Sequence, residues 1–314
     1  MADVIKFLTS SLNGSSVMRG EQMSAMMMHV GYKSECIKLD GENHKSIKGA
    51  ICVVVKSCEP AILDDLRKQD NDIIYDVVDK FSRKEAPHET MGVAFADGII
   101  ATHKQVVDYF SPLFGNAKVA VIPHAYDPRF EIRTAENGFD AFPQRFRLGY
   151  LGQSFNHHFK EIADVLPVYD PKTGFEYGGM FTCHYSVRDI NTIDALFKPA
   201  TKASTAAACG ANIITTRDPA VVDLIGEDYP FYVDEFTHKE VADTIKRAYK
   251  NFDKEMWFDG LDIMAALKRR TSIDRVAEDY IDFLAEFGLE KKKVPEMEKK
   301  RAKSKDIEIN GVEV

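Results

Sequence analysis

The sequence predicts an α/β protein of two domains, each built on a parallel sheet. Apolar segments that are typical of strands alternate with helical patterns along the chain, and strands joined through helices lie parallel in one sheet. The chain has 314 residues, 45% of them hydrophobic, which is enough for two cores of about 130 to 150 residues each. In the second half, residues 197–216 join a helix start directly to a buried strand. We therefore expect two sheets with a ligand site at their carboxyl ends.

The first segment, residues 3–9, is an apolar strand followed by a polar loop and a helix over about residues 21–30. A loop between a strand and a helix in such a sheet faces the ligand crevice. Because the loop matches neither a P-loop nor a dinucleotide-binding motif, an ordinary connecting loop is an equal alternative. The residues that would contact a ligand there are Gly14, Ser15, Ser16 and Arg19.

Two further strands are predicted over residues 50–56 and 73–79, with a helix over residues 60–68 between them. Their ends bring Lys56, Asp76 and Asp79 to neighbouring positions at the carboxyl edge of the sheet. A carboxylate there could accept the proton of an acceptor hydroxyl. The alternative is that one aspartate caps a helix and the other is solvated on the surface.

The helix start in the second half carries Lys198, Thr201 and Lys202 close to Pro199, a residue suited to the first helical turn. Free backbone N–H groups and the helix dipole attract anions at such a terminus, and two lysines favour a diphosphate. The alternative is an ordinary crossover with solvated lysines. Gly210 is predicted to end the helix in a left-handed conformation.

Two predicted strands flank this helix start. Residues 146–153 form one that ends at Gly152, where the missing side chain would let a bound group approach the backbone. In residues 180–189, His184 and Arg188 share a strand face with Ser186, and Arg188 could bind phosphate in a bidentate manner. The alternatives are a packing role for His184 and an ion pair of Arg188 with Asp189 or Asp194.

Three sequence blocks carry a resemblance to a known family. Residues 205–214 read TAAACGANII, similar to the pattern E-A-M-A-C-G-x-P-V-I, while ADGIIATH at 96–103 and VIPHAYD at 121–127 are similar to AD-x-I-I-x-x-S and V-I-P-x-G-x-D. The chain resembles the GT-B glycosyltransferases, as a divergent relative of the retaining glycosyltransferase family 4, or group 1, type. Asp127 matches the last position of the third block, and Ala125 replaces its glycine.

The resemblance implies two Rossmann-like domains that face a central cleft, with a C-terminal helix crossing back to the first domain. A helical pattern of apolar residues over 266–287 fits that helix. The expected divisions are an acceptor domain (1–130), a linker (131–145), a nucleotide-sugar donor domain (146–270), a crossing helix (271–290) and a basic tail (291–314).

The resemblance also implies transfer of a sugar from a nucleotide-diphosphate donor to a hydroxyl acceptor. The two glutamates of the retaining members are replaced here by Phe197 and Thr205, so Lys198 and Lys202 are expected to neutralise the phosphates instead. The candidate catalytic residues are Asp76, Asp79 and Lys202. The candidate donor-binding residues are Gly152, His184, Arg188, Lys198, Thr201, Lys202 and Thr205. The candidate acceptor or cleft residues are Gly14, Ser15, Ser16, Arg19, Lys56 and His124. The alternatives are an inactive nucleotide-sugar or polyanion-binding module and a nucleotide-sugar epimerase of the same architecture.

We expect no cofactor beyond the nucleotide sugar and no metal. The D-x-D spacing of residues 70–72 lies in a polar turn, and His157, His158, Cys183 and His184 lack structural-zinc spacing. Five scattered cysteines without a C-x-x-C pair indicate free thiols.

Charge is uneven along the chain. Residues 291–305, from Lys291 to Lys305, carry a net charge of +6, against −8 for the whole chain. This segment is either a solvated terminus or a contact for an anionic surface such as lipid or DNA. With no apolar run long enough to span a membrane and no signal peptide, we expect a cytoplasmic protein that could also lie at a membrane surface. The acceptor itself is left open among glycan, lipid, protein and a modified DNA base.

Overall fold

The first half of the chain forms a six-stranded parallel sheet in a computed structural model. The model describes residues 4–10, 14–79, 92–130, 145–152, 156–159, 161, 164–167, 178–192 and 195–294. The strands are β1 (Val4–Thr9), β2 (Lys33–Lys38), β3 (Ile51–Val55), β4 (Asp72–Asp76), β5 (Gly98–Ala101) and β6 (Lys118–Val121). They pair in the order β2-β1-β3-β4-β5-β6, and every pairing is parallel.

Helices cover both faces of this sheet, which explains why its central strands are apolar throughout. All five residues of β3 are buried. The helices of this half are α1 (Gln22–Val30), α2 (Pro60–Lys68) and α3 (Lys104–Phe110). One apolar cluster lies under α1, and a second lies under α2 and α3 on the opposite face.

The second half contains a five-stranded parallel sheet with the order β11-β10-β9-β7-β8. Its strands are β7 (Leu148–Gly152), β8 (Asp164–Pro167), β9 (Cys183–Ser186), β10 (Asn212–Thr216) and β11 (Tyr232–Val233). Its helices are α4 (Thr201–Ala208), α5 (Pro219–Ile225), α6 (His238–Asn251) and α7 (Glu255–Arg270). A third apolar cluster, with Trp257 and Phe231, fills this domain.

The last long helix, α8 (Ile273–Leu284), crosses back to the first sheet. Its buried residues Val276, Tyr280 and Leu284 join the same cluster as Ile5 and Phe7 of β1. The chain breaks the predicted pattern over 266–287 into two helices, because Ser272 caps α8 by accepting a hydrogen bond from the Arg275 N–H. The predicted crossing helix is confirmed.

The predicted fold class is confirmed, with one parallel sheet before residue 122 and another after residue 147. The exact domain limits stay a prediction, because the linker is largely outside the described residues, as is the basic tail beyond residue 294. Within the described part of the chain, no helix is both long and apolar enough to cross a membrane.

Two helix starts differ from the sequence expectation. From Gly14, the first described residue after position 10, the chain is helical and passes through a π-helical turn, Ser16–Glu21, before α1. Such turns occur where an inserted residue re-aims a side chain, and here the turn holds Arg19 inward. Helix α4 starts at Thr201, two positions after Pro199, because a 3-10 turn at Ala195–Phe197 precedes it.

Candidate functional site

Lys202 is the centre of the candidate site in the second domain. It lies in the first turn of α4, and its Nζ is 3.9 Å from the centre of the Tyr150 ring. Among the described residues, no carboxylate lies within ion-pair distance of this ammonium group. Burial and the nearby Arg188 lower the pKa of Lys202 to about 7, while Asp218 opposes that shift. Within the described part of the chain, Lys202 thus lacks an ion-pair partner, and a pKa of about 7 makes it easily charged by an anion that binds beside it.

Gly152 forms the wall beside Lys202. Its φ is +151°, and a Cβ built on it would lie 2.9 Å from Tyr150 Oη and 3.2 Å from Lys202 Cε. A side chain here would push the lysine away from the end of β7. The predicted need for a glycine at this strand end therefore has a geometric cause, which is close approach of the Lys202 side chain.

Arg188 borders the same site from the end of β9. Its Nε is 3.0 Å from Asp218 Oδ2, so the ion pair forms with Asp218 and not with Asp189; Asp194, the other predicted partner, lies outside the described residues. Asp218 is almost fully buried, and the Thr216 hydroxyl donates to its other oxygen. Burial raises the pKa of Asp218 to about 6, although Arg188, Thr216 and Lys202 lower it. The pair holds the guanidinium beside Lys202.

Asp79 joins the two domains through charge. Its Oδ1 lies 2.9 Å from Nζ of Lys56 in the first domain, and its Oδ2 lies 3.3 Å from Nζ of Lys198 in the second. Strand β4 ends at Asp76, so Asp79 lies in the bend after the strand and not within it. Lys56 follows β3 with a φ of 72°. The two predicted cleft residues Lys56 and Asp79 do come together.

Phe197 takes up a position that the sequence could not indicate. Its side chain is buried in the apolar cluster of the first domain, where its ring is 4.7 Å from Tyr109 and 6.3 Å from Phe110. In the resembling family this position is acidic and faces the donor, but here it anchors the second domain to α3. A second contact joins α3 to the second domain, because the Lys104 N–H donates to Asp223 of α5.

Asp76 and Arg19, expected in the open crevice, are instead buried together. Arg19 donates to both carboxylate oxygens of Asp76, at 2.7 and 3.0 Å, and also to the carbonyls of Ile122 and Pro123. The Tyr280 hydroxyl donates to Asp76 at 2.6 Å. Every carboxylate oxygen is thus engaged by protein groups. This geometry favours a structural role in holding α1, β4 and α8 together.

His124 lies beside this network at the end of the first sheet, on the loop that Arg19 holds. It is 4% exposed, and among the described residues neither ring nitrogen has a hydrogen-bond partner. Burial, Arg19 and Lys56 lower the pKa of His124 well below its usual value. A neutral imidazole with unused hydrogen-bonding capacity is suited to a polar ligand group.

The remaining predicted site residues are His184, Thr201, Thr205, Gly14, Ser15 and Ser16. His184 is buried, and its Nε2 lies 3.1 Å from the Gly178 carbonyl, as in the packing alternative. The Thr205 hydroxyl donates to the Thr201 carbonyl inside α4. This hydrogen bond is internal to the helix. Gly14 is exposed, whereas Ser15 is half-buried and Ser16 buried at the start of the π-helical turn.

Sequence reasoning missed Tyr150, Tyr280 and the pairing role of Asp218. Asp218 directly precedes Pro219, the first residue of α5. The Asp218 carboxylate forms an ion pair with Arg188 and accepts no hydrogen bond from the N–H groups at the start of α5. The signal for Tyr150 was its place two residues before Gly152 on the same strand, which puts both on one side of β7.

The described residues contain no group of three or more histidine, cysteine or acidic side chains that could hold a metal ion. In the D-x-D turn at residues 70–72, the middle residue has a structural role, because the Asn71 amide group donates to the carbonyls of Ile47 and Leu66. All five cysteines are free thiols, as predicted.

Solved structures with the same architecture are glycosyltransferases. A glycosyltransferase from Rickettsia africae matches 91% of this chain and 98% of its own, with a TM-score of 0.68 and 10% identity. HepE of Anabaena, in complex with UDP, matches 91% of this chain and 100% of its own, with a TM-score of 0.64 and 11% identity. Sucrose-phosphate synthase from Thermosynechococcus elongatus matches 91% of this chain and 99% of its own, with a TM-score of 0.63 and 10% identity.

No protein-family model and no curated protein sequence matches the chain. The likeness is therefore one of fold, and it extends over nearly the whole of the chains compared. The protein has the GT-B fold, with two Rossmann-like domains and a C-terminal helix that returns to the first.

Proposed function

We propose that this protein is a glycosyltransferase that moves a sugar from a nucleotide-diphosphate donor to a hydroxyl acceptor. The observation that carries the proposal is the buried Lys202 at the N-terminus of α4, which has no carboxylate within ion-pair distance among the described residues and lies beside Arg188 at the carboxyl edge of the second sheet. Keeping a cation partly buried without a counter-ion opposes folding, and an anionic ligand would reverse that effect. The HepE structures hold UDP and UDP-glucose, which is the ligand class this site suits.

In the proposed donor site, Lys202, Lys198, Arg188 and the helix N-terminus stabilise the departing diphosphate without a metal. Gly152 leaves room for the Lys202 side chain that packs against it. The acceptor oxygen forms a bond to the anomeric carbon of the sugar while the bond from that carbon to the diphosphate oxygen breaks. The diphosphate keeps the electron pair of the broken bond.

The proposed acceptor side lies at the carboxyl edge of the first sheet. Asp79 is the candidate acceptor for the hydroxyl proton, and Lys56 holds its carboxylate in place. His124 supplies a neutral hydrogen-bonding group close by. Gly14 and Ser15 border this edge at the exposed start of the first helix. Because Asp76 and Arg19 are buried in their own ion pair, we assign them a structural role.

A thermal-shift panel of nucleoside diphosphates and nucleotide sugars in EDTA tests the donor site. A ligand present at about 100 times its dissociation constant stabilises the folded state by about 2.7 kcal/mol. We expect one nucleotide to raise the unfolding temperature of the wild type and to leave the Lys202→Met variant unshifted. Lys239→Met is the matched control, because Lys239 is a surface lysine paired only within α6.

Turnover assays separate transfer from the alternatives. Transfer requires an acceptor and releases the nucleoside diphosphate. An epimerase would convert the donor with no acceptor present, and an inactive module would bind donor with neither transfer nor hydrolysis. No shift with any nucleotide in the panel would contradict the donor site itself.

A further inference from the structure

Lys198 lies between the candidate sites of the two domains. It belongs to the segment that leads into α4 and Lys202, yet its ammonium group is 3.3 Å from Oδ2 of Asp79 in the first domain. Lys56 occupies the other oxygen of the same carboxylate at 2.9 Å. The carboxylate thus has one cation from each domain.

The backbone at Lys198 is fixed independently of this ion pair. The preceding residue, Phe197, is buried against Tyr109 and Phe110, and the Lys104 N–H donates to Asp223 in the same interface. The Lys198 side chain can therefore leave Asp79 without separating the domains. Its movement needs only rotation about side-chain bonds.

The ion pair is also easy to exchange. The Lys198 side chain is 46% exposed, whereas Asp79 is 12% exposed and keeps Lys56 as a partner. Exposed ion pairs contribute little to stability, because water screens them. A diphosphate carries more negative charge than one carboxylate and accepts several charge-assisted hydrogen bonds, so it competes well for the same lysine.

We propose that Lys198 is shared between Asp79 and the donor diphosphate, so that donor binding frees Oδ2 of Asp79. This inference rests on the proposed glycosyltransferase function. With the donor bound, Lys198 turns to the diphosphate, and Lys56 keeps the carboxylate oriented. The freed Oδ2 then accepts the proton of the acceptor hydroxyl as the new glycosidic bond forms and the diphosphate departs. The proton acceptor thus becomes available only after the donor has bound.

Calorimetric titration of four proteins tests the shared lysine: the wild type, Asp79→Asn, Lys198→Met and the double variant. The probes are uridine diphosphate and inorganic diphosphate. In the wild type, binding must displace Lys198 from Asp79, so Asp79→Asn should bind the probe more tightly, by about fivefold or more. Lys198→Met should bind more weakly, and adding Asp79→Asn to it should change the affinity little. The effects of Asp79→Asn and Lys198→Met on the affinity for the probe should therefore not be additive.

Asp189→Asn controls for the loss of any nearby negative charge, because Asp189 accepts hydrogen bonds from Asn191 and none from Lys198. Thermal unfolding of each variant verifies folding. Equal tightening by Asp79→Asn with and without Lys198 would overturn the inference, as would unchanged or weaker binding in Asp79→Asn alone. If neither probe nor any other nucleotide binds the wild type, the proposed function fails as well. That outcome differs from the two above, in which the donor binds and only the shared lysine is contradicted.

Discussion

Lys202 shows how one side chain can oppose folding and still be suited to a ligand. Its pKa is lowered from 10.5 to about 7, with burial as the largest cause. Between these two values the unfolded chain binds a proton at this position and the folded protein does not. The contribution of Lys202 to the free energy of unfolding therefore becomes more favourable as the pH rises from about 7 to 10.5. Below pH 7 its unfavourable contribution is at its maximum.

Lys202→Met should consequently stabilise the ligand-free protein at pH 7. We expect a gain on the order of 1 kcal/mol, because methionine removes the buried charge while also losing the cation–π contact with Tyr150. Urea unfolding at pH 7 and at pH 9.5 measures the effect, which should shrink at the higher pH. A less stable variant at pH 7 would mean that Lys202 serves the fold and not a ligand.

Proton uptake on diphosphate binding is a second consequence of the same pKa. At pH 8 most of the Lys202 side chains in the free protein are neutral, and a bound diphosphate would favour the charged form. Titrations in buffers of different ionisation enthalpy should show uptake of up to one proton, because a bound diphosphate raises the pKa of Lys202 from about 7. Below pH 6 the uptake should vanish, and Lys202→Met should show none at pH 8.

At the scale of elements, a buried ion pair connects the first helix, the central strand β4 and the crossing helix α8. Arg19, Asp76 and Tyr280 supply one group each, and all three are almost fully buried. Breaking a buried pair leaves a charge without a partner, which costs about 3 to 5 kcal/mol, whereas a lost hydrogen bond to a charged group costs about 1.5 to 3 kcal/mol.

Asp76→Ala should therefore destabilise the protein more than Tyr280→Phe does, as measured by urea unfolding. An Arg19→Met, Asp76→Leu double variant should recover much of the loss, since neither charge remains. If Asp76 were instead the proton acceptor of the reaction, Asp76→Asn would retain full stability and lose turnover. That result would mean that Asp76 belongs to the catalytic site.

The sequence predicted the elements better than the direction of their side chains. Strand periodicity and the glycine and proline positions placed β3, α2 and the left-handed Gly210 correctly, because these depend on local geometry. Asp76 and Asp79 looked equivalent in the segment IIYDVVD, yet β4 ends between them. One is buried with Arg19 and the other is at the cleft, a difference set by an arginine 57 positions away. Local patterns contain no information on such a partner.

At the scale of the whole molecule, Phe197 connects the domains where the resembling family has an acidic residue. Phe197→Glu would place a charge in the apolar cluster around Tyr109 and Phe110, which is strongly unfavourable without a partner. We expect lower stability and a separation of thermal unfolding into two transitions, because the second domain loses its anchor on α3. Phe258→Glu is the control, since Phe258 is an exposed aromatic of α7. A single unshifted transition in Phe197→Glu would show that the anchor is dispensable.

The chain after α8 also contributes to the fold up to Val294. Val294 and Leu289 are buried in the first-domain cluster, and Lys292 Nζ lies 4.6 Å from the centre of the Tyr32 ring. Truncation after Glu290 should therefore lower stability by about 2 kcal/mol, since one buried aliphatic side chain alone contributes that much. Truncation after Val294 should leave it unchanged. Urea unfolding distinguishes the two.

An anionic contact of the basic segment must consequently be tested without removing residues 291–294. Changing Lys299, Lys300 and Arg301 to glutamine keeps the docked part intact and lowers the positive charge. Each basic residue near an anionic membrane contributes about 1 kcal/mol, so the triple variant should bind vesicles rich in anionic lipid at least tenfold more weakly than the full chain, and added salt should weaken the full chain similarly. Equal binding by both proteins, or none by either, would mean that these three basic residues do not contact an anionic lipid surface.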